Sequence, residues 1–563
     1  MCIRDRHVVE NIMKDKKSFK ILLVYPNLTM MLVPSLAIGI FTNLLKKEGY
    51  IVDLFDTTHY VSEENSSPQN RVKYLQAREF SDTNDLGVRI KTNLLEDFRQ
   101  KIMDYQPDLL IYSVVEDCFN QTLSLMEQIS DLDIPHLVGG VYPTAAPENC
   151  IGNDLITCIG LGEGEHIILD MAEDVRSRKD YKRINGIWFK DKSTGEIVKN
   201  PRGPLVAINK GQEPDFSLFD ESRFNRPMGG RIFRTMPIES YRGCPFTCTY
   251  CNSPMQVSLA REAELGNFLR TKKMDVLRDE IAHTVQLYNP EFLYFIDDSF
   301  TARKKSDIFD FCDMYEEFKI PFWFNTRPET CTMDMLKRLK EVGAYRISFG
   351  IESGNEQFRR KVLTRNVSNQ DLKSAFDVIA QSGVAFSLNL IIGLPGETRE
   401  LVMDTVEFCK TIYGFDTVTV SIFTPYAGTV LRDVAVNNGW LDQNHITTHT
   451  TTKSQLNMPE PYLSSQDIDE LMRVMPLYIY FPKSEWPNLK RAEINDDQGN
   501  EILNHYSDIY TRDFLKQNQD DSKVWVIDGG TGCKSNPKDS FVLTYDSPVR
   551  ITDDELVMLT MQR

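Results

Sequence analysis

The sequence has no excess of basic residues and no long hydrophobic run. Its 81 Asp and Glu residues outnumber its 64 Lys and Arg residues, which gives a formal net charge of −17. Nucleic-acid binding over a whole protein needs a basic surface, so we expect no nucleic-acid partner. No stretch of about 18 apolar residues occurs, so we also expect no membrane-spanning helix.

Cysteine is scarce for the length of the chain, with eleven in 563 residues. Small disulfide-stapled domains carry a much higher share, so these thiols do not form a disulfide framework, and we predict a reducing, cytoplasmic location. The start lacks the apolar segment of a secretory signal peptide. We treat residues 1–17 as a tail in which residues 1–6 are a candidate gene-calling artefact, with Met13 as the candidate native start.

One short loop, residues 241–251, nevertheless holds three thiols. Cys244, Cys248 and Cys251 can turn their sulfurs towards a common point, and thiolates select iron–sulfur clusters, zinc or copper. Structural zinc needs four protein ligands, yet the next histidine along the chain is His283. Three ligands suit a cubane cluster with one open iron. A zinc site with a distant fourth ligand and three ordinary buried cysteines are the alternatives.

The Cys-x3-Cys-x2-Cys spacing, with Tyr250 before the last cysteine, resembles the cluster loop of radical S-adenosylmethionine (SAM) enzymes. The resemblance implies a [4Fe–4S] cluster whose open iron chelates the amino and carboxylate groups of SAM. It also implies a flavodoxin- or ferredoxin-like electron donor. Reductive cleavage of SAM then gives a 5′-deoxyadenosyl radical, which abstracts hydrogen from an unactivated C–H bond of a small molecule.

Strand and helix patterns alternate on both sides of a connector. In the first half, buried apolar runs alternate with amphipathic helices, which predicts a doubly wound parallel sheet. Its strands are predicted at residues 21–25, 51–55, 109–113, 136–138 and 156–159, and its helices at 35–47, 88–105, 120–129 and 166–175. From residue 238, six strand–helix units without a seventh predict an open, partial barrel, with strands at 238–241, 292–296, 322–325, 345–350, 385–392 and 418–423.

We therefore predict an α/β protein with four parts after the tail. They are a Rossmann-like domain at 18–175, a linker with a hairpin at 176–235, a partial (βα)6 barrel at 236–435 and an α-rich C-terminal extension at 436–563.

Glycine-rich loops follow the strands of the first sheet, where doubly wound sheets bind ligands. Residues 139–148 read Gly-Gly-x-x-x-Thr-x-x-Pro-Glu, and residues 162–165 read Gly-Glu-Gly-Glu. Such glycines also occur at ordinary strand bends, but their order before a cysteine loop resembles the cobalamin-binding domain of cobalamin-dependent radical SAM proteins. The resemblance implies that cobalamin contacts Asn27, Ser113, Gly139, Gly140, Thr144, Glu163 and Gly164.

The eight histidines do not form the Asp-x-His-x-x-Gly loop by which many other corrinoid proteins place a histidine on cobalt. The resemblance therefore implies a cobalamin whose own base is displaced and whose lower face has no histidine. His136 lies inside an apolar run, and we predict that it is a hydrogen-bonded core residue.

The reactive end of a βα barrel is the end where its strands finish, so candidate SAM contacts lie there. By the resemblance, they are Tyr250, Asp298, Arg327, Glu352, Gly393 and Gly396. In the alternative interpretation, Asp297 or Asp298 caps the next helix, and Arg327 forms an ordinary ion pair with Asp298.

Over residues 18–435 the combined resemblance implies methyl transfer to an unactivated carbon, or to a phosphinate phosphorus, of a small molecule. In that chemistry one SAM methylates the cobalamin and a second SAM starts the radical. The alternatives are a cobalamin-dependent radical ring formation or rearrangement without methyl transfer, and a non-catalytic corrinoid-binding protein. A tRNA-modifying radical enzyme is disfavoured by the acidic balance of the chain.

Overall fold

The computed structural model describes residues 13–29, 31–61, 69–78, 84–210, 213–449 and 453–515. Most of the predicted tail and the last 48 residues of the C-terminal extension (516–563) lie outside the described residues. None of the described helices is long and apolar enough to cross a membrane.

The first sheet has seven strands in the order β2-β1-β3-β4-β5-β6-β7, of which the first five are parallel. The strands are β1 (Lys20–Tyr25), β2 (Ile51–Asp56), β3 (Leu109–Ser113), β4 (His136–Gly139), β5 (Cys158–Gly160), β6 (Ile187–Lys190) and β7 (Ile197–Lys199). The helices are α1 (Leu36–Lys47), α2 (Gln69–Lys73), α3 (Leu94–Tyr105), α4 (Phe119–Glu127), α5 (Val141–Ala145), α6 (Pro147–Gly152) and α7 (Gly164–Ser177).

The strand β1 shows why this sheet is buried on both faces. Successive side chains of a strand point to opposite faces. Ile21 and Leu23 pack into the core that the first sheet shares with the barrel, whereas Leu22 and Val24 pack into a separate core on the other face. A continuous apolar run is therefore needed here, as in other parallel strands that are covered on both sides.

Three sequence predictions for this half need correction. The fifth strand starts at Cys158 instead of residue 156, and α3 starts at Leu94 instead of residue 88. The hairpin assigned to the linker extends the first sheet, because β6 pairs antiparallel with β5, Trp188 lying opposite Ile159. Ile187 is fully buried in the sheet. The linker assignment did not consider that the hairpin could extend the sheet.

The second sheet has the order β16-β15-β14-β13-β12-β9-β8, in which β8 alone is antiparallel to its neighbour. Its strands are β8 (Asn225–Met228), β9 (Arg231–Ile238), β12 (Phe292–Phe295), β13 (Phe322–Thr326), β14 (Ala344–Glu352), β15 (Ala385–Ile392) and β16 (Thr417–Ile422). A two-stranded ribbon is formed by β10 (Tyr241–Arg242) and β11 (Arg270–Thr271). The six parallel strands confirm the predicted partial barrel, whose edges are β8 and β16.

Helices cover the outside of the barrel. They are α8 (Ser253–Glu262), α9 (Met274–Tyr288), α10 (Lys305–Tyr315), α11 (Met333–Val342), α12 (Glu356–Lys361), α13 (Asn369–Ser382), α14 (Arg399–Lys410) and α15 (Val430–Asn437). The C-terminal part adds α16 (Ser465–Tyr480), α17 (Trp486–Ala492) and α18 (Asp497–Tyr510), and α16 packs on α14 and β16.

The first barrel strand was predicted at 238–241, but β9 ends at Ile238 and residues 241–242 belong to the ribbon. Gly229 and Gly230, assigned to a linker, form the turn between β8 and β9, where both have positive φ (60° and 90°). Positive φ is readily adopted by glycine, which explains the pair.

A buried carboxylate fixes the first sheet against the barrel. Glu116, directly after β3, is 3% exposed. It accepts hydrogen bonds from the backbone N–H groups of Ala427 (2.7 Å) and Thr447 (2.9 Å), and it pairs with Arg432 (3.1 Å). The carboxyl ends of the first-sheet strands therefore face the barrel, and this arrangement creates the site described next.

Candidate functional site

The cysteine loop is anchored by a buried aspartate. Asp297, at the end of β12, is 2% exposed and accepts hydrogen bonds from the backbone N–H groups of Ser240 (2.8 Å) and Tyr241 (3.1 Å). Arg303 pairs with the same carboxylate at 3.0 Å. Asp297 thus holds the chain where it enters the loop. This role differs from both sequence interpretations of the acidic pair, which were SAM binding and helix capping.

The three loop thiols are half-buried, and no disulfide joins any of the described cysteines. Burial raises the pKa of Cys244 to about 11 and that of Cys251 to about 12, so a bound cation is needed to keep them as thiolates at neutral pH. No three His, Cys, Asp or Glu side chains in the described part of the chain are arranged to hold a single metal ion. A cubane binds each thiolate at a different iron, so its ligands do not need to converge on one point.

Tyr250, within the loop, contacts Glu352 at the end of β14. The Tyr250 hydroxyl donates to Glu352 Oε1 (3.2 Å), and the guanidinium of Arg365 donates to the same oxygen (2.8 Å). Burial raises the pKa of Tyr250 well above its usual range, so it remains a neutral donor. Glu352 has a positive φ of 64°, which is strained for a residue other than glycine, and such strain is often found at functional sites.

Asp298 and Arg327 lie near the loop but have different partners. Asp298 accepts a hydrogen bond from the Ser253 hydroxyl (2.9 Å). Arg327 lies over the ring of Phe246, a loop residue, with 3.8 Å between its guanidinium carbon and the ring centre, and its Nε is 2.9 Å from Glu329. The carboxylate that pairs with Arg327 is therefore Glu329 instead of Asp298.

Gly393 and Gly396 form a tight turn after β15, with φ of 75° and 78°. The backbone N–H groups of Gly393 (2.6 Å) and Leu394 (3.2 Å) donate to one oxygen of Glu397, which is fully buried. Burial raises the pKa of Glu397 to about 8. Its other carboxyl oxygen has no hydrogen-bond partner, which fits a protonated side chain.

Replacement of Glu397 by glutamine is expected to reduce the pH dependence of stability. An unfolded glutamate ionises near pH ~4.3, whereas the folded chain keeps the proton until about pH 8. The wild type therefore loses stability as pH rises between these values, whereas Glu397→Gln keeps the acceptor oxygen and does not ionise. Between about pH 6 and pH 8 we expect the variant to gain roughly 2 kcal/mol relative to the wild type. Denaturant unfolding at several pH values measures this gain, and parallel stability curves would contradict it.

A cavity of about 390 Å³ lies between the two sheets, and we call it the intersheet cavity. Its first wall is formed by strand ends and loops of the first sheet, and its second wall includes Tyr241, Gly243, Ser253 and Asp298 of the barrel. Six of the seven residues predicted to contact cobalamin line the first wall: Ser113, Gly139, Gly140, Thr144, Glu163 and Gly164. An apolar slot continues from it between α1, α7 and the sheet, lined by Leu36, Ile40, Ile111, Leu137, Ile167 and Ile168.

Asn27 is the exception, because it does not line this cavity. Its side-chain amide donates to the backbone oxygen of Met31 (3.0 Å) and to the Thr58 hydroxyl (2.8 Å). It therefore holds the loop after β1.

Two of the glycines have structural reasons to be glycine. A Cβ on Gly140 would lie 2.3 Å from the backbone oxygen of Val114, and one on Gly164 would lie 2.7 Å from the ring of Phe41. Gly139 differs, since its Cβ would meet nothing closer than the Tyr112 backbone oxygen at 3.8 Å. Gly139 alone among these three leaves space that a side chain could fill.

Glu163 links the first sheet to the cysteine loop, a role that sequence reasoning missed. Arg242 of the loop donates to Glu163 (2.9 Å) and Glu165 (3.0 Å), and Arg270 donates to Glu163 (3.0 Å). Burial acts to raise the pKa of Glu163, but its pairing with Arg270 and Arg242 lowers it overall. The position of Arg242, two residues before the first loop cysteine, was a signal that this arginine has a role at the site. Its partners could not be read from the sequence.

His136 is half-buried and accepts a hydrogen bond from the backbone N–H of Thr157 (3.0 Å), and burial lowers its pKa to about 4, which agrees with a hydrogen-bonded structural role. None of the described histidines lines the intersheet cavity.

Residues 238–409 match the family model of the radical SAM superfamily. This range runs from the last residue of β9 into α14, so it includes the cysteine loop and the ends of β12 to β15. The barrel therefore contains a radical SAM domain, which confirms the resemblance based on the loop.

Several relatives align with more than half of the chain, among them the following two. An uncharacterised methyltransferase of Pyrococcus horikoshii is 25% identical over 350 residues, which cover 61% of this chain and 72% of the relative. An anaerobic magnesium-protoporphyrin IX monomethyl ester cyclase of Rubrivivax gelatinosus is 26% identical over 368 residues, which cover 63% of each. Part of each relative therefore has no counterpart in the alignment.

The fold is similar to that of TsrM from Kitasatospora setae, described as a radical SAM methyltransferase with cobalamin and a [4Fe–4S] cluster bound. The TM-score is 0.56 at 14% identity, and the match covers 87% of this chain and 99% of the other. A match of this extent includes both sheets, and at this identity it shows the fold.

Proposed function

We propose that this chain, whose barrel contains a radical SAM domain, is a cobalamin-dependent methyltransferase acting on an unactivated carbon, or a phosphinate phosphorus, of a small molecule. The observation that carries the proposal is the intersheet cavity. Strand ends of a Rossmann-like sheet form one of its walls, and the entry of the cysteine loop forms the other. The two proposed cofactor sites therefore open towards each other.

Cys244, Cys248 and Cys251 would hold a [4Fe–4S] cluster, with SAM on the open iron. Cluster and SAM together supply the 5′-deoxyadenosyl radical. The chain keeps the three sulfurs in place by fixing the loop at both ends: Asp297 binds its entry, and Thr249 donates to the backbone oxygen of Val362 at 2.7 Å. A fixed ligand geometry does not have to be organised again in each turnover.

The proposed SAM contacts surround this loop. Glu352, held by Arg365 and Tyr250, offers carboxylate oxygen to ribose hydroxyls, and Tyr250 itself lies inside the loop. Asp298 would hold the SAM ammonium and Arg327 its carboxylate. The backbone N–H groups of Gly393 and Gly396 already donate to Glu397 and Met458. The role we propose for these glycines is therefore to let the backbone lie close to adenine, without a hydrogen bond from their N–H groups.

Cobalamin would supply the transferred methyl group. Ser113, Gly139, Gly140, Thr144, Glu163 and Gly164 would border it, and the apolar slot suits a displaced aromatic base. Because the described histidines do not reach the cavity, the lower face of cobalt is expected to have no histidine. In the division we propose, the cobalamin-binding domain comprises residues 18–175 together with the β6–β7 hairpin.

We further propose a flavodoxin- or ferredoxin-like electron donor and a cytoplasmic location. The cluster needs an electron from outside the chain, and a reducing compartment keeps free thiols reduced. The lack of a disulfide among the described cysteines supports that location.

A matched pair of glycine variants tests the cobalamin site. Gly139→Leu places a side chain where the cavity has space, so we expect the loss of most bound cobalt with the cluster retained. Gly152→Leu is the control, because Gly152 ends α6 outside the cavity and a Cβ added to it would meet no atom within 4 Å. Cobalt and iron analysis of anaerobically produced protein measures both. Equal cobalt in wild type and Gly139→Leu would refute this site.

The similarity to a cyclase favours a second candidate, in which both cofactors form a ring without methyl transfer. Loss of the methyl group from methylcobalamin in the presence of substrate distinguishes the two reactions. Formation of 5′-deoxyadenosine excludes a non-catalytic corrinoid-binding protein.

A further inference from the structure

A second large cavity, which we call the barrel cavity, lies inside the open barrel. It has a volume of about 710 Å³ and lies between the edge strands β8 and β16. Residues 71–78 of the first half of the chain cross this gap. Gln76 accepts a hydrogen bond from the backbone N–H of Val420 in β16 (3.0 Å), and Arg78 donates to the backbone oxygen of Gly229 beside β8.

Two arginines in this cavity have no acidic partner in the part of the chain that the structure describes. Arg71, from the crossing segment, and Arg226, from β8, both line it. Neither forms an ion pair or a side-chain hydrogen bond within the described residues. Burial lowers the pKa of the Arg226 guanidinium, and the charge of Arg71 lowers it further. Arg226 is half-buried and Arg71 is exposed, so two like charges face the same cavity, where an anion between them would relieve their repulsion.

The carboxylates that line the barrel cavity do not neutralise this pair. Glu352 is paired with Arg365, and Asp85 is engaged in a different interaction. Two further arginines line the cavity: Arg346 forms an ion pair with Asp416, and Arg78 donates to the backbone oxygens of Leu515 and Gly229. In a chain with a net charge of −17, two cavity arginines without a carboxylate partner among the described residues favour an anionic ligand.

We propose that the barrel cavity binds the small-molecule substrate through a carboxylate or phosphoryl group held between Arg71 and Arg226. This inference rests on the proposed function and adds to it the chemical class of the substrate. Guanidinium groups match the oxygens of carboxylate and phosphoryl groups in geometry as well as in charge.

The remaining walls indicate how such a molecule is oriented. Arg226 lies over the stacked rings of Tyr294 and Trp323, at 5.1 Å and 4.9 Å from their centres. It is opposite Phe233, near the start of β9, whereas Glu352 ends β14 and contacts the cysteine-loop residue Tyr250. The anionic group is therefore held at the far end of the cavity, and the part that reacts points towards the loop.

Titration calorimetry of the full-length chain tests this site with two probes, inorganic phosphate and succinate, at constant ionic strength. We expect the wild type to bind at least one probe, and Arg71→Met or Arg226→Met to weaken that binding by about tenfold to a hundredfold. Arg360→Met is the matched control, because it removes the same charge from α12 outside the cavity, and we expect it to bind like the wild type. Without an anion, Arg226→Met should unfold at a higher temperature than the wild type, since it relieves the repulsion.

Three results would overturn the proposal: no binding of either probe to the wild type, unchanged binding to the Arg71→Met/Arg226→Met double variant, or displacement of the probe by SAM. Displacement by SAM would assign both arginines to the SAM carboxylate. Two of these results, no binding and displacement by SAM, are measured on the wild type and overturn the proposal even if a variant fails to fold. Formation of 5′-deoxyadenosine by the reconstituted chain is measured separately, so failure of the proposed function is distinguished from failure of this site.

Discussion

Replacement of Cys248 by alanine will abolish the [4Fe–4S] cluster and, with it, all formation of 5′-deoxyadenosine. The loop has three thiols, and the described residues offer no three-ligand metal group that could replace them. A cubane held at only two corners exposes two irons to exchange. We expect iron to fall from about four per chain in the reconstituted wild type to background in the variant.

The matched control is Cys331→Ala. Cys331 is also half-buried and free, but it lies after β13, outside the loop, so its loss should leave the iron content unchanged. Iron and sulfide analysis with absorbance spectroscopy under anaerobic conditions measures the effect. A tetrahedral zinc site in the wild type, or a full cluster in Cys248→Ala, would contradict the assignment of the loop.

Sequence patterns located well those elements whose burial follows from the residues of one short segment. Strand β3 was predicted residue for residue, because Leu109–Ser113 is an apolar run between polar ends, and β15 was predicted equally well. The cysteine loop was found because its spacing lies within a few residues. In each case the information lies inside one short segment.

The predictions that failed depend on partners far away in the chain. Arg242 is 79 residues from Glu163, and no local pattern links them. Strand β9 was placed too late, since Pro237 and two arginines make residues 231–238 look unlike a central strand. Helices α17 and α18 were missed because their segments are polar, and packing on α16 gives them a buried face.

The glycines illustrate the same limit at the site itself. Gly139, Gly140 and Gly164 look alike in the sequence, and the cobalamin resemblance predicted one role for all three. The structure separates them, since Gly140 and Gly164 allow backbone and helix packing, whereas Gly139 borders open space. The experiment on Gly139 is informative for that reason, whereas substitution of the other two would disturb the fold as well.

Replacement of Arg365 by methionine is expected to cost about 3–5 kcal/mol of folding free energy, because it leaves a buried carboxylate without its partner. Arg365 is 1% exposed and donates to Glu352 (2.8 Å) and to the backbone oxygen of Gly350 (2.8 Å). Glu352 itself has a positive φ of 64°. Equilibrium denaturant unfolding measures the loss.

A second substitution identifies the cause of that loss. The double variant Arg365→Met/Glu352→Gln removes the unpaired charge, so we expect it to recover at least about half of the stability. Arg359 provides the control, because it is equally buried but donates to the backbone oxygens of Ser353 and Val367. Glu352→Gln should therefore not rescue Arg359→Met. If it rescues both arginine variants equally, the stabilising effect is not specific to the ion pair.

The pH dependence of Arg365→Met gives an independent measure of the same interaction. Burial raises the pKa of Glu352 even with Arg365 present, and loss of the arginine will raise this pKa further. An acid with a raised pKa in the folded state loses stability as pH rises through the interval between its unfolded and folded pKa values. The deficit of Arg365→Met should therefore be smaller at about pH 5.5 than at about pH 8, and the Glu352→Gln double variant should lack this trend. A deficit independent of pH would show that Arg365 acts through packing, and the carboxylate proposed for the ribose of SAM would then not depend on Arg365 for its charge.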